Sequence, residues 1–166
     1  MKSVDTISPE RFRGQVAIVV GGAQGIGKAI AVRLAREGAH VVIADIDRVM
    51  LDRTSRELAE GGGSARTALC DVRSRAQVER MVASVARRYH RVDILMYVAG
   101  VAKSVPFIKT SEALWDRTMD TNLKGAFFVA RSVAPHMIKQ RRGKMVFMAS
   151  TNSWDAEARL APYNAS

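Results

Sequence analysis

Three glycines, Gly21, Gly25 and Gly27, lie between a run of β-branched residues and a stretch with helical periodicity. Glycine has no Cβ and tolerates positive φ angles, so a loop with this spacing lets backbone N–H groups approach an anion closely. The N-terminus of the following helix adds a dipole that favours a phosphate. The segment 21–27 therefore predicts a site for the pyrophosphate of a dinucleotide, with Gln24 and Ile26 among its binding residues.

Asp45 ends the next β-branched run along the chain. A carboxylate at the end of the second strand can accept hydrogen bonds from both ribose hydroxyls of an adenosine, and it would repel a 2′-phosphate. We therefore expect NAD, with NADP less favoured, while Arg48 keeps the second cofactor open. The alternative for Asp45 is a turn-forming residue, and we expect the neighbouring Asp47 to cap the following helix.

Short apolar strands alternate with amphipathic stretches along the whole chain. The predicted strands are 15–20, 41–44, 65–70, 93–98 and 144–149, and the predicted helices are 25–37, 48–60, a stretch carrying Val78 to Tyr89, and 111–139. This alternation predicts an α/β fold with a doubly wound parallel sheet in three layers, and a ligand at the switch point between the first and fourth strands. We expect Ile26, Ile30 and Leu34 to form the apolar stripe of the first helix, and Pro135 to kink the last.

The two ends of the chain differ in pattern from its middle. We expect residues 1–13 to form an N-terminal arm and residues 14–166 to form one NAD-binding domain. Residues 161–166 have the pattern of a helix's first turn, and the strand 144–149 has no crossover after it. We therefore expect the domain to be incomplete at its C-terminus, with the C-terminal strands missing from this chain.

The composition favours a globular protein of a reducing compartment. The single cysteine, Cys70, is expected to be a small buried residue and cannot form an internal disulfide. No apolar run reaches the roughly 20 residues of a membrane helix, and no secretory signal is evident, so we expect a cytoplasmic protein without a membrane partner. The three histidines lack ligand spacing, so we expect no metal.

The formal net charge of +10 raises nucleic acid as an alternative ligand. The densest basic clusters, 87–91 and 139–144, fall where we place the C-termini of helices. Cations are stabilised there by the helix dipole, and no nucleic-acid-binding signature accompanies them. We therefore expect no nucleic-acid partner.

Several motifs, in order along nearly the whole chain, resemble those of the short-chain dehydrogenase/reductase family. They are the Gly-x-x-x-Gly-x-Gly loop of Gly21–Gly27, Cys70-Asp71-Val72, Tyr97-Val98-Ala99-Gly100, Thr121-Asn122-Leu123-Lys124-Gly125, and Ser150 followed by Tyr163 at the family's usual interval. The resemblance implies a Rossmann-like fold and a cofactor site that includes Asp71, Val72, Ala99 and Gly100.

The resemblance also implies a reaction, the interconversion of a secondary alcohol and a ketone by NAD(H)-dependent hydride transfer. A sugar or polyol is among the candidate small-molecule substrates, and a homodimer or homotetramer is the implied assembly. Tyr163 would be the general acid/base, Ser150 would hydrogen-bond the developing alkoxide, and Asn122 would hold a water of the proton relay at a local break in its helix.

The sequence departs from the family pattern at three places. The family's lysine would fall at position 167, just past the residues given. Val20 replaces the usual threonine of the loop, and Tyr97-Val98 replaces a pair of asparagines. We expect the last two changes to cost local order, and they leave a non-catalytic dinucleotide-binding or regulatory relative as the alternative.

Overall fold

The structure, a computed structural model, describes residues 8–60 and 65–166. The first part of the predicted arm, residues 1–7, lies outside the described residues. The strands are β1 Val16–Val20, β2 His40–Asp45, β3 Ala65–Leu69, β4 Ile94–Tyr97 and β5 Lys144–Phe147. The helices are α1 Gly25–Arg36, α2 Arg48–Glu60, α3 Arg75–Tyr89, α4 Glu112–Met119, α5 Gly125–Lys139 and α6 Ala161–Ala165.

The five strands form one parallel sheet in the order β3-β2-β1-β4-β5. β1 lies in the middle, paired with β2 from Val16 opposite His40, and with β4 from Ala17 opposite Ile94. The chain winds outward from β1 first in one direction and then in the other. The predicted α/β fold with a doubly wound parallel sheet is confirmed, and its switch point lies between β1 and β4.

Alternating residues of β1 enter two separate cores, one on each face of the sheet. Val16, Ile18 and Val20 pack with apolar side chains of α3 and α5, whereas Ala17 and Val19 pack with those of α1 and α2. Because β1 is buried on both faces, its sequence is a continuous apolar run. The three predicted layers are therefore present.

The predicted apolar stripe of α1 is partly wrong. Ala31 and Leu34 are buried, but the Ile26 side chain is 61% exposed. Ile26 lies in the first turn of α1 and lines the cleft described below, so it does not belong to the core.

The predicted long helix 111–139 is divided. A segment with π-helical hydrogen bonding, Asp120–Lys124, separates α4 from α5, and we call it the π segment. Ser111 caps α4, its side-chain oxygen accepting the N–H of Leu114. α5 continues through Pro135 to Lys139. The expected local break therefore falls at Asn122, within the π segment.

Residues 8–13 pack against the C-terminal end of α1. The Phe12 N–H donates to the Glu37 carbonyl oxygen (2.8 Å), and the Arg11 guanidinium approaches the buried Glu37 carboxylate (3.4 Å). Burial opposes ionisation of Glu37, but the hydrogen bond from Arg33 and the charge of Arg11 outweigh it and lower the pKa of this carboxyl. These residues therefore have a fixed contact with the domain.

The carboxylate of Asp93, at the entry to β4, is buried and joins the start of β1 to the segment before β4. It accepts the Val16 N–H (2.9 Å) and two hydrogen bonds from Arg91 (2.6 and 2.7 Å). Burial raises its pKa, but the bond from Arg91 and the Val16 N–H outweigh that effect, so the pKa is lowered.

We expect Asp93→Asn to lower the free energy of unfolding at pH 7 by about 2 kcal/mol, because hydrogen bonds to a charged group are lost. A lowered native pKa stabilises the fold above the unfolded-state value of about 4 and ceases to do so as the pH falls through the native value. Urea unfolding at neutral pH should therefore separate the variant from the wild type, and the difference should shrink as the pH is lowered below about 4. Asp52→Asn, an exposed site on α2, is the charge-matched control, and an equal loss in both variants would contradict the prediction.

Candidate active site

A cleft opens at the carboxyl ends of the strands where β1 lies between β2 and β4. The loops that follow β1 and β4 leave the sheet in opposite directions at this point, so their main chains leave space between them. Two adjoining cavities of about 520 and 500 Å³ make up the cleft, and Val98, Ala99 and Gly100 line both.

The glycine loop closes the bottom of the first cavity. A Cβ added to Gly27 would collide with the carbonyl group of Gly21, so only glycine lets the first turn of α1 lie against the end of β1. Gly25 has a φ of +54°, and a Cβ on it would point into open space, with no atom within 4 Å. The loop therefore exposes its backbone at Gly25 and is closely packed at Gly27.

Asp45 lies at the end of β2, half-buried beside this loop. Its Oδ2 accepts the Ala23 N–H (3.1 Å) and its Oδ1 accepts the Asp47 N–H (3.1 Å). These bonds fix the carboxylate at the wall of the first cavity. Asp47 itself accepts the Met50 N–H (3.0 Å) and caps α2, as predicted.

The first cavity brings together every residue predicted to bind the cofactor. It is lined by Gly21, Gln24, Gly25, Ile26, Gly27, Asp45, Asp71, Val72, Ala99 and Gly100. The interpretation of Cys70 as a small buried residue also agrees with the structure. It is 2% exposed, and burial, with a contribution from the charge of Asp71, raises the pKa of its thiol to about 11.

Two arginines that the sequence analysis did not select also line the first cavity, Arg73 and Arg117. Arg73 forms a bidentate ion pair with Asp71 (2.6 and 2.9 Å), and this hydrogen bonding lowers the pKa of the Asp71 carboxyl despite partial burial. The pairing of Arg73 with Asp71 could have been predicted from the sequence, because an arginine two positions after an aspartate can contact its carboxylate. Arg117 carried no such local signal.

The second cavity contains all three predicted catalytic residues, Asn122, Ser150 and Tyr163. They come from the π segment, from the end of β5 and from α6. Strand β5 ends just before Ser150, and the chain returns through α6 to place Tyr163 at the same cavity. The structure thus assembles residues that are widely separated in sequence.

Asn122 is held by main-chain bonds from the loop after β4. Its Oδ1 accepts the Val101 N–H (2.8 Å), and its Nδ2 donates to the Val101 carbonyl oxygen (3.1 Å) and to Ser166 Oγ (2.9 Å). Ser166 Oγ in turn donates to the Tyr163 carbonyl oxygen (3.0 Å). Asn122 is therefore coupled to the main chain of α6 at Tyr163.

The hydroxyl of Ser150 is engaged in a chain of side-chain bonds. Ser150 Oγ donates to Asn152 Oδ1 (3.0 Å), and Asn152 Nδ2 donates to Asn164 Oδ1 (2.9 Å). Asn164 Nδ2 donates to the Glu157 carbonyl oxygen (2.8 Å). A substrate oxygen that accepts a hydrogen bond from the Ser150 hydroxyl would have to replace Asn152 Oδ1 as the acceptor. Asn152 was not among the site residues predicted from the sequence.

Tyr97 makes a hydrogen bond that the expectation of lost order did not include. The Tyr97 side chain is buried, and its hydroxyl donates to the Thr121 carbonyl oxygen of the π segment. This hydrogen bond takes the place of the one that an asparagine amide would make. At Val20 the loop is braced by the main chain, because the Val20 carbonyl oxygen accepts the N–H groups of both Val98 (2.9 Å) and Ala99 (3.1 Å).

Outside the cleft, the described residues have fewer features of a functional site than those that line it. Within residues 8–60 and 65–166, no group of three or more histidine, cysteine or acidic residues is placed to hold a metal ion. No helix among them has the length and apolar character to cross a bilayer. Both predicted basic clusters lie at the C-terminal ends of helices, α3 and α5, which border one depression lined by Arg87, His90, His136 and Lys139.

Comparisons with known proteins agree with this arrangement. A sequence profile described as short chain dehydrogenase matches residues 15–166. Gluconate 5-dehydrogenase of Gluconobacter oxydans is 38% identical over 152 residues, which are 92% of this chain and 59% of that protein. The 3-oxoacyl-(acyl-carrier-protein) reductase of Thermotoga maritima is 36% identical over 140 residues, 84% of this chain and 57% of that protein. The chain thus spans less than two thirds of the length of these relatives.

Solved structures show the same likeness. An NAD⁺-bound xylitol dehydrogenase superposes with a TM-score of 0.89 at 33% identity, over 93% of this chain and 60% of the other. A metagenomic short-chain oxidoreductase in complex with NADP gives a TM-score of 0.89 at 34% identity, over 93% of this chain and 70% of the other. The similar proteins therefore include both cofactor types.

Proposed function

Because this chain belongs to the short-chain dehydrogenase/reductase family, we propose that it forms the cofactor-binding and catalytic part of an NAD(H)-dependent oxidoreductase. The observation that carries the proposal is the single cleft. A glycine loop and Asp45 line one end of it, and Asn122, Ser150 and Tyr163 line the other.

The residues of the first cavity fit a dinucleotide. The exposed backbone at Gly25 suits a pyrophosphate, and the fixed carboxylate of Asp45 suits ribose hydroxyls. Arg48, which kept NADP open, is not among the residues lining the cavity, although Arg73 and Arg117 are. Since Arg73 is neutralised by Asp71, the charge of Asp45 supports NAD over NADP.

The second cavity supports proton transfer to or from a substrate oxygen. The bound nicotinamide would supply the hydride chemistry. Tyr163 would exchange the proton of the substrate hydroxyl as general acid/base, and Ser150 would hydrogen-bond the oxygen as it becomes an alkoxide. Asn122 would hold a water of the proton relay between Tyr163 and the solvent.

A secondary alcohol that is oxidised to a ketone is the substrate class we propose. The relatives' names include gluconate, xylitol and D-threitol dehydrogenases, which favours a sugar or polyol. The polar groups of Asn152 and Ser153, beside Ser150 in the second cavity, suit a ligand with several hydroxyls. Oxidation of a panel of polyols, followed by the absorbance of reduced nicotinamide, tests this class.

We also propose a cytoplasmic homodimer or homotetramer, in keeping with the family resemblance and the single buried thiol. Sedimentation velocity of the natural gene product would measure the assembly. The alternative function, a non-catalytic dinucleotide-binding relative, would bind NAD with the same residues and turn over no alcohol.

We expect Gly25→Ala to weaken NAD binding at least tenfold. Its methyl group would enter the open space over the glycine loop, where the pyrophosphate is to bind, and the positive φ would cost roughly 1–2 kcal/mol of stability. Isothermal titration with NAD measures the affinity, and thermal unfolding measures the stability.

Gly14→Ala is the matched control for this experiment. Gly14 also has a positive φ (+71°) with no atom within 4 Å of an added Cβ, but it lies outside the cleft. Both variants should lose similar stability, and only Gly25→Ala should lose affinity. Equal NAD affinities in the two variants would remove the glycine loop from the proposed site.

A further inference from the structure

The π segment has an irregular hydrogen-bonding pattern next to the proposed catalytic asparagine. The Gly125 N–H, which in a regular α-helix would donate to the Thr121 carbonyl oxygen, donates instead to Asp120. The Thr121 carbonyl oxygen therefore loses its α-helical donor. Thr121 is half-buried, and a carbonyl group shielded from water is costly without a donor, so a partner from elsewhere in the fold stabilises such a break.

That partner is Tyr97, the last residue of β4. Its hydroxyl donates to the Thr121 carbonyl oxygen, and its side chain is 3% exposed. Burial, with a contribution from Cys70, raises the pKa of the Tyr97 phenol well above its ordinary value, so the group stays protonated and remains a donor. The Tyr97 proton is thus directed at the Thr121 carbonyl oxygen.

The space around the Tyr97 hydroxyl shows that the contact is built into the packing. A Cβ on Gly125 would lie 2.5 Å from Tyr97 Oη and 2.9 Å from a methyl group of Val72. Residue 125 must therefore be glycine for the tyrosine to reach the π segment. The strand end, the break in the helix and the start of α5 meet at this one hydroxyl.

The loop that follows β4 also holds the side chain of Asn122. Val101, shortly after Tyr97 along the loop from β4, makes two main-chain bonds with the Asn122 amide. Thus β4 and its loop hold the π segment twice, through the Thr121 main chain and through the Asn122 side chain. Both contacts fix where Asn122 lies relative to Ser166 and α6.

We propose that Tyr97 is a positioning residue, whose hydroxyl holds the π segment so that Asn122 stays in register with Tyr163. This inference rests on the proposed function for its catalytic consequence, but its structural part stands apart from activity. Tyr97 lines the second cavity but not the first, and its hydroxyl is bonded to the Thr121 carbonyl oxygen.

Tyr97→Phe in the natural gene product tests the proposal, because it removes one oxygen and keeps the ring. We expect hydrogen–deuterium exchange in residues 120–125 to rise about tenfold, and kcat to fall about tenfold with KM nearly unchanged. The apparent pKa of kcat should move, since the relay through Asn122 is displaced. NAD affinity should stay within twofold, because the phenol does not line the first cavity.

Thr118→Val is the control for a lost buried hydroxyl. Thr118 is 1% exposed, and its Oγ1 donates to the Leu114 carbonyl oxygen within α4 (2.8 Å). The control should lower the melting temperature and leave exchange at 120–125 and the pH profile of kcat unchanged. If Tyr97→Phe also changed only the melting temperature, Tyr97 would be a packing residue and the proposal would be overturned.

The exchange measurement separates this proposal from the proposed function. A wild-type protein that bound no dinucleotide and oxidised no alcohol would contradict the proposed function. Unchanged exchange at 120–125 in Tyr97→Phe would contradict the role of Tyr97, whatever the activity of the wild type.

Discussion

Tyr163→Phe is expected to lower kcat/KM for alcohol oxidation by about a thousandfold and to leave NAD affinity unchanged. A positioned general acid/base contributes roughly a hundredfold to ten-thousandfold, and phenylalanine keeps the ring while removing the hydroxyl that we propose exchanges the proton. The Tyr163 side chain lines the second cavity but not the first, so dinucleotide binding should not depend on its hydroxyl. Steady-state rates of nicotinamide reduction and isothermal titration with NAD measure the two quantities.

Tyr89→Phe is the control for the loss of a tyrosine hydroxyl. Tyr89 lies on α3 and stacks on His40, with ring centroids 5.5 Å apart, and neither residue lines the cleft. This variant should keep the wild-type rate. If Tyr163→Phe retained more than a third of the wild-type kcat/KM, the acid/base role would have to move to another group. If the wild type bound NAD and oxidised no alcohol of the panel, the non-catalytic alternative would be favoured.

The features that the sequence predicted well depend on short stretches of chain. The spacing of the glycines and the cap at Asp47 each depend on a few neighbouring residues, and Asp45 was predicted from its place at the end of a strand. The doubly wound parallel sheet and its switch point between β1 and β4 were predicted from the alternation of strands and helices, because few topologies accommodate right-handed parallel crossovers. For these features, the residue types that the local structure favours are also those that the tertiary structure requires.

The features that the sequence analysis missed depend on contacts between distant segments. Asn152 is bonded to Asn164, and Ser166 is bonded to Asn122, in each case through a side-chain hydrogen bond between separate segments. Ile26 was assigned to the core by its periodicity, but it is largely exposed and lines the first cavity. Helical spacing cannot show where a helix extends past its neighbours.

Tyr97 shows a third kind of limit. Its departure from the family pattern was visible in the sequence, and the expected loss of order was a fair deduction from a missing amide. The sequence did not show that the Tyr97 hydroxyl contacts the π segment. This contact depends on the glycine at position 125 and on the Thr121 carbonyl group, which lacks its helical donor. Two unusual features of the chain therefore compensate each other.

Asp45→Asn is expected to shift cofactor preference toward NADP by about one to two orders of magnitude. The change removes the negative charge that opposes a 2′-phosphate, and like charges placed together cost several kcal/mol. Asparagine has the same size and can still accept one of the two backbone N–H groups that Asp45 holds, from Ala23 and Asp47. NAD affinity should fall moderately and NADP affinity should rise, as measured by titration with each dinucleotide at the same ionic strength.

Asp47→Asn is the control that separates the effect of the charge at Asp45 on cofactor preference from the effect of the protein's net charge. Both variants lose one negative charge, but Asp47 does not line the first cavity, and asparagine caps a helix as well as aspartate does. The control should keep both the stability and the cofactor preference of the wild type. An equal shift toward NADP in both variants would mean that long-range attraction to a basic protein sets the preference. A shift confined to Asp45→Asn would assign cofactor selection to the one carboxylate that the glycine loop holds at the end of β2.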